Sequence, residues 1–138
     1  MHRSAFVLLP GLLLLSGCVL IENPPAGAWE DPELTREFEK LNAELFDGGV
    51  KGEVRYFPPW MLPHSVFDGL AYYDPPTVFL RWPAGPARKS LLIHEMCHLA
   101  RPPRWDPAAR RWEPPHGERF QQLRERVSAK GGVWVSPF

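Results

Sequence analysis

The sequence is poor in cysteine, has no net charge and contains no internal repeat. Only Cys18 and Cys97 are cysteines among 138 residues, so at most one disulfide could form within the chain. This excludes a disulfide-rich scaffold, and a domain of this size must be held by its core, with a bound metal ion as the other available support. The 16 basic and 16 acidic side chains balance. Residues 81–130 carry eleven bases against five acids; contact with the phosphates of lipid or nucleic acid is one interpretation, and we favour a solvated face.

The N-terminus has the pattern of an export signal. Arg3 precedes the apolar run Ala5–Leu15, and the sequence LSGC that ends at Cys18 resembles the lipobox of bacterial lipoproteins. An uncleaved anchor is the alternative, but Ala5–Ile21 has only about the minimum of the roughly 17–25 residues that span a bilayer. We predict that Cys18 is lipidated and tethers the chain to a membrane of the bacterial envelope, at the outer membrane or its periplasmic face. Cys97 then has no disulfide partner.

The chain divides into four segments. We assign residues 1–17 to the signal peptide, 18–30 to the lipidated N-terminus and linker, 31–130 to one domain and 131–138 to a tail.

Within the domain, helices and strands alternate in an order typical of a small α+β fold. A capped amphipathic helix begins at Asp31, and strands are predicted at 53–57, 70–73 and 77–82. A second helix begins at Gly85 and a third at Gly117. We expect a short, mostly antiparallel sheet. Residues 101–115 are bracketed by prolines and predict a loop, in which Trp105 and Trp112 either line a substrate cleft or anchor the loop itself.

The segment LLIHEMCH at 91–98 combines an apolar helix with metal-ligand chemistry. His94 and His98 are four residues apart and lie one turn above each other on a helix, where two imidazoles can share a zinc ion. Glu95 lies about 100° around the helix from His94, beside the metal, where a carboxylate can accept a proton from water. Cys97 lies about 80° around the helix from the midpoint of the two histidines, at roughly 100° per residue, and is predicted to be a small buried side chain rather than a ligand.

Two histidines leave the zinc coordination incomplete, so we expect a third protein ligand downstream. A metzincin would need glycine at 101 and histidine at 104, but the sequence has Arg101 and Arg104, which excludes that class. A glutamate from a later segment and a histidine before the third helix are the remaining options. The candidates are Glu113, Glu118, Glu125 and His116.

Two motifs together resemble a known family. HEMCH at 94–98, followed by HGERF at 116–120, is similar to the paired HExxH and HGxxF motifs of the SprT-like zinc metallopeptidases, which include the Spartan-type proteases. LNAELF at 41–46 and GLAY at 69–72 resemble patterns in the first helix and a strand of that family. The resemblance covers about residues 31–127. It implies a zincin-like domain in which His94, His98 and His116 bind zinc and Glu95 is the general base.

The chain departs from that family in two respects. No C-x-x-C pair follows Phe120, although many members carry a zinc ribbon or DNA-binding segments there. The chain is also predicted to be exported, whereas cytosolic relatives act on DNA-bound proteins. We therefore expect a protein or peptide substrate and no nucleic-acid partner; the sequence gives no indication of the oligomeric state.

The implied activity is hydrolysis of peptide bonds by a zinc-bound water that Glu95 activates, with Glu95 returning the proton to the leaving amine. Tyr72, Tyr73 and His64 are candidate donors to the developing oxyanion, and each can also be interpreted as a structural residue. The alternative function is a non-catalytic, zinc-stabilised lipoprotein that acts as a binding module in the envelope. A structural zinc site usually has four protein ligands and needs no base, so Glu95 favours catalysis.

Overall fold

Three α-helices and a three-stranded sheet form the domain in residues 24–60, 68–131 and 135, which the computed structural model describes. The α+β class predicted from the sequence is confirmed. The helices are α1 (Pro32–Phe46), α2 (Arg88–Ala100) and α3 (Glu118–Gly131), and the strands are β1 (Glu53–Phe57), β2 (Gly69–Tyr73), β3 (Pro76–Arg81), β4 (Trp105–Asp106) and β5 (Arg111–Trp112). The signal peptide, Cys18 and most of the predicted tail lie outside the described residues.

Helix α1 begins where the sequence predicts. The carboxylate of Asp31 accepts a hydrogen bond from the backbone N–H of Leu34 at 2.9 Å, and Pro32 occupies the first turn, where no N–H is needed. The helix ends at Asp47, which adopts the left-handed conformation with φ 53°. Its apolar stripe is buried against the sheet and α3 and consists of Leu34, Phe38, Leu41 and Leu45.

The chain that leaves α1 is fixed by the side chain of Asn42. Its Nδ2 donates to the carbonyl of Val50 at 2.8 Å, and its Oδ1 accepts from the N–H of Val50 at 2.9 Å. This side-chain amide therefore takes the place of a strand partner for Val50, just before β1.

Replacing Asn42 with alanine is expected to destabilise the domain by about 2 kcal/mol, because both hydrogen bonds are lost and the partly buried backbone groups of Val50 lose their partner. Thermal or urea unfolding measures the effect. Glu39→Ala, at an exposed position of the same helix, is the control and should change stability by only a few tenths of a kcal/mol. Equal stabilities of the two variants would contradict this role of Asn42.

The sheet has the order β1-β3-β2. Strands β2 and β3 pair antiparallel, as predicted, around the turn at Asp74-Pro75. Strand β1 pairs with β3 in parallel, which differs from a purely antiparallel arrangement. A parallel neighbour needs a long connection, and here the whole segment between β1 and β3, including β2, forms that connection.

The two faces of the sheet bury different side chains. The face towards the helices carries Val54, Tyr56, Val78 and Leu80, which pack in one cluster with Leu92, Ile93 and Met96 of α2. On the opposite face, Phe57, Leu70 and Phe79 form a smaller cluster with Ala28 and Tyr72. This alternation follows from the two-residue period of a strand and places α2 directly against one face of the sheet.

Two segments that the sequence places outside regular structure are ordered against the domain. Trp29, in the predicted linker, exchanges two backbone hydrogen bonds with Tyr56 at the free edge of β1, at 2.9 and 3.0 Å. The predicted loop 101–115 contains the antiparallel β4–β5 hairpin, in which Trp105 pairs with Trp112. None of the described helices is long and apolar enough to cross a membrane.

Candidate metal centre

Helix α2 is buried along most of its length. The seven residues 92–98 are all buried, and three of them are polar: His94, Glu95 and His98. The surrounding apolar residues place these side chains in a low-dielectric environment, where an unpaired polar group is costly. The spacing of the two histidines positions both rings on the side of α2 that faces the start of α3.

Three histidine side chains meet at one point. The Nε2 atom of His94 lies 3.1 Å from Nε2 of His116 and 3.2 Å from Nε2 of His98, and the His98 and His116 Nε2 atoms are 3.0 Å apart. Three nitrogens bound tetrahedrally to zinc at about 2.0–2.1 Å lie about 3.3 Å from one another. The triangle is therefore close to the size that a shared metal ion requires.

Two of the three histidines, His98 and His116, are held in the form that binds metals. Burial lowers the pKa of His98 well below its ordinary value and that of His116 to about 4, and the neighbouring imidazoles add to both effects. Neutral imidazole is the ligand form, so protons do not compete for these nitrogens at neutral pH. The three Nε2 atoms repel one another when none of them carries a proton, and a cation between them removes that repulsion.

His116 is positioned by the turn that precedes α3. The N–H of Gly117 donates to the carbonyl of Pro114 at 3.0 Å, and Nε2 of Gln121 donates to the His116 carbonyl at 3.2 Å. Just before this turn, Glu113 forms an ion pair with Arg119 and accepts a hydrogen bond from the backbone N–H of Arg104 at 3.0 Å. The base of the hairpin is thereby tied to α3, on the segment that carries His116.

The structure separates the four candidates for the third ligand. His116 belongs to a cluster with His94 and His98 that could hold a metal ion, and it is the only such group of three found among the described residues. Glu113 is engaged by Arg119, Glu118 is exposed and bonded to Gln122, and Glu125 is exposed beside Arg124. None of the three glutamates is part of the histidine cluster.

Phe120 forms the floor of the site. Its buried ring lies 5.1 Å from the His94 ring, 4.9 Å from the His116 ring and 4.5 Å from the His98 ring, centroid to centroid, and is stacked on His98 at 27°. Contact with all three imidazoles limits their rotation and brings the three Nε2 atoms together. Phe120 entered the sequence-based prediction only as part of the HGERF motif, and because His116 lies in the turn before α3, no helical spacing predicted this packing.

Glu95 lies beside the histidines without belonging to their cluster. Its side chain is 1% exposed, and Oε2 has no hydrogen-bond partner among the described residues. Burial raises the pKa of this carboxyl to about 8. The start of β2 lies very close: a Cβ atom on Gly69 would be 3.0 Å from Cγ and from Oε1 of Glu95. This contact of Gly69 was not anticipated from the sequence.

The buried carboxyl should make the stability of the metal-free protein depend on pH. The pKa of Glu95 is 4.5 in the unfolded chain and about 8 in the folded one. The free energy of unfolding is therefore highest below pH 4.5, where the carboxyl is protonated in both states, and it falls as the pH rises to 8. Glutamine does not ionise. We therefore expect metal-free wild type and Glu95→Gln to melt at similar temperatures near pH 5, and the variant to melt at the higher temperature at pH 8.

Differential scanning calorimetry at the two pH values measures this gap. Glu118→Gln, which changes an exposed carboxylate on α3, is the control. Its melting temperature should not rise relative to that of the wild type between pH 5 and pH 8. A Glu95→Gln gap that is the same at pH 5 and pH 8 would contradict a strongly raised pKa of Glu95.

The structure does not bring the other residues considered in the sequence analysis into the histidine cluster. Tyr72 packs with the cluster of Phe57, Leu70 and Phe79, on the sheet face opposite to α2, so the structure does not bring it to the histidines. Tyr73 lies at the turn end of β2, opposite Pro76. His64, like Cys18, lies outside the described residues. Cys97 is a buried free thiol whose pKa burial raises to about 12, as expected for an inert core side chain.

The site contains a group of three imidazoles that could hold a metal ion, and next to it a buried carboxyl whose Oε2 has no hydrogen-bond partner among the described residues. The resemblance to the SprT-like family depends on the motif residues alone. Comparison with protein-family models, with curated proteins and with solved structures gives no match to this chain.

Proposed function

We propose that this chain is a zinc-dependent metallopeptidase that a lipid on Cys18 tethers to a membrane of the bacterial envelope. The observation that carries the peptidase proposal is the convergence of three Nε2 atoms within 3.2 Å beside a buried carboxyl that is not among the ligands. His94, His98 and His116 would hold the zinc ion. Three ligands leave a position for water or substrate, as in catalytic zinc sites, whereas structural sites usually have four protein ligands.

The chemistry divides between the metal and Glu95. Zinc, when bound, supplies a Lewis acid that polarises a peptide carbonyl and lowers the pKa of water to about 7. Glu95 accepts the proton of the attacking water at its carboxylate and delivers it to the nitrogen of the leaving amine. Its pKa of about 8 without metal falls when a cation is bound nearby, which brings it closer to the value that a base needs at neutral pH.

The sheet supports a polypeptide as the substrate. Strand β2 is at the edge of the sheet, and among the described residues it pairs only with β3. An extended peptide can add to such an edge through backbone hydrogen bonds. Because Gly69 of β2 contacts Glu95, a peptide paired along this edge runs past the carboxylate.

The test compares zinc content and proteolysis of casein for the full chain and for Glu95→Gln. We expect one zinc ion bound in each protein, and at least about a 10³-fold lower rate in the variant, because the proton acceptor is lost while the ligands remain. Glu118→Gln, with its carboxylate on the surface of α3, should retain both zinc and activity.

The remaining outcomes separate the alternatives. Zinc in both proteins with no proteolysis of casein or of a mixed peptide library would favour the zinc-stabilised binding module. An absence of bound zinc in the wild type would contradict the proposal altogether. Labelling of the chain with a radioactive fatty acid, and its loss in Cys18→Ser, tests the lipid anchor separately from the chemistry.

A further inference from the structure

Every large apolar side chain that is exposed in the described residues is a tryptophan. The exposed side chains are Trp29, Trp60, Trp82, Trp105 and Trp112. Tryptophan combines a large apolar ring with a polar N–H, and it is the residue that concentrates where hydrocarbon meets headgroups in membranes. Where such side chains form a contiguous patch, they mark a contact with something outside the chain.

Three of the five belong to segments that meet at the end of β1, and we call Trp29, Trp60 and Trp82 the tryptophan patch. The rings of Trp29 and Trp82 are 6.5 Å apart. The backbone N–H of Trp82 donates to the carbonyl of Phe57 at 3.0 Å. Trp82 therefore lies next to Phe57, the last residue of β1, and Trp60 follows Phe57 by three residues. The three side chains are 36%, 77% and 50% exposed in sequence order.

The predicted anchor enters the domain beside this patch. The backbone of Gly27 lies against the ring of Pro58, where a Cβ atom would be 3.7 Å from Cγ, and Trp29 pairs with Tyr56. Pro24 is six residues after Cys18, and six extended residues span at most about 20–22 Å. A lipid on Cys18 therefore keeps the bilayer within that distance of the segment that borders the patch.

Charges around the patch are balanced. The guanidinium of Arg81 is 3.6 Å from Asp68 and also donates to the carbonyl of Pro59, and Arg55 pairs with Glu30 at 3.2 Å. Such a surface suits the mixed dipoles of a headgroup layer and has no excess of one sign that would demand an anionic partner.

We propose that the tryptophan patch lies in the headgroup region of the bilayer that holds the lipid on Cys18. The proposal depends on the lipid anchor of the proposed function and not on its peptidase chemistry. Contact by three tryptophans fixes the orientation of the domain on the membrane, which a flexible tether alone does not do.

The β4–β5 hairpin provides a matched comparison within the same chain. Trp105 and Trp112 are also exposed, with rings 5.9 Å apart. The hairpin follows the C-terminus of α2, whereas Trp82 precedes its N-terminus, and a helix of 13 residues is about 20 Å long. Trp82 and the hairpin therefore lie towards opposite ends of α2, and the proposal predicts that only the tryptophan patch contacts the lipid.

The experiment reconstitutes the lipid-modified full chain into phosphatidylcholine vesicles with and without brominated acyl chains, which quench tryptophan at short range. We compare Trp60→Phe/Trp82→Phe with Trp105→Phe/Trp112→Phe, and leave Trp29 unchanged because its ring packs on Tyr56. Phenylalanine keeps an aromatic ring at each site. We expect most of the bromolipid-dependent quenching to be lost in the first variant and to be unchanged in the second.

Three results would overturn the proposal. Quenching that is lost only in Trp105→Phe/Trp112→Phe would place the hairpin at the membrane instead, and wild type that floats with vesicles without being quenched would place no tryptophan there. A chain that does not float with vesicles would overturn the patch and the lipid anchor together. Zinc content and casein cleavage, measured on the same preparation, report the peptidase proposal independently.

Discussion

His116→Ala is expected to lower the affinity for zinc by about 10³-fold or more, because it removes one of the three proposed ligands; losing a partner of a ligand already costs about 10–100-fold. The Nε2 atom of His116 lies within 3.1 Å of those of His94 and His98. Among the described residues, no fourth histidine, cysteine or carboxylate belongs to this cluster and could replace His116 in it. Competition with a chromophoric chelator measures the dissociation constant. The same variant should lose proteolysis at zinc concentrations that saturate the wild type.

Two glutamate variants make this prediction specific to His116. Glu118→Ala and Glu125→Ala remove carboxylates that the sequence alone left as candidate ligands, and both side chains are exposed. Zinc affinity should be unchanged in each. Loss of affinity in Glu118→Ala with retention in His116→Ala would reverse the assignment of the third ligand.

Gly69→Ala is expected to reduce the rate of peptide hydrolysis by about 10–100-fold while zinc remains bound. The new methyl group would lie 3.0 Å from Cγ and Oε1 of Glu95 and from Cδ1 of Leu91, so the Glu95 carboxylate must move by a few tenths of an ångström. A small misplacement of a catalytic group has effects of this size. Steady-state kinetics should show the loss in kcat rather than in KM, because the ligands and the edge of β2 are retained.

Gly48→Ala is the matched control, since it makes the same chemical change where no heavy atom lies within 4 Å of the new methyl group. Its positive φ of 71° costs about 1 kcal/mol of stability, but its kcat should equal that of the wild type. An unchanged kcat in Gly69→Ala, or loss of zinc from it, would contradict the view that this glycine positions the carboxylate of Glu95.

The strands show how far sequence patterns extend. Alternation in the segment 53–57 predicted β1, and its buried residues lie on the expected alternating faces. The same pattern contains no information about which strand is the neighbour, and the parallel pairing of β1 with β3 was not predicted. The β4–β5 hairpin was missed for a related reason: two strands of two residues each are too short for any period to be detected.

Local geometry determined one half of the candidate site. His94, Glu95 and His98 are within five consecutive residues of a helix, and a helix fixes their relative directions whatever surrounds it. The sequence by itself therefore determined the helices, the α+β class and two of the histidines. It also determined that a buried carboxyl would lie next to them.

Tertiary structure decided what depends on residues far apart in the chain. The choice of His116 over three glutamates required α3 to return against α2, with the hairpin base held by Glu113 and Arg119. The contact of Gly69 with Glu95, the packing of Phe120 under the imidazoles and the ring contact of Trp29 with Trp82 likewise join segments that only packing brings together. The physical reason is that helical and strand periods act over a few residues, whereas a metal site and a surface patch are defined by distances across the core.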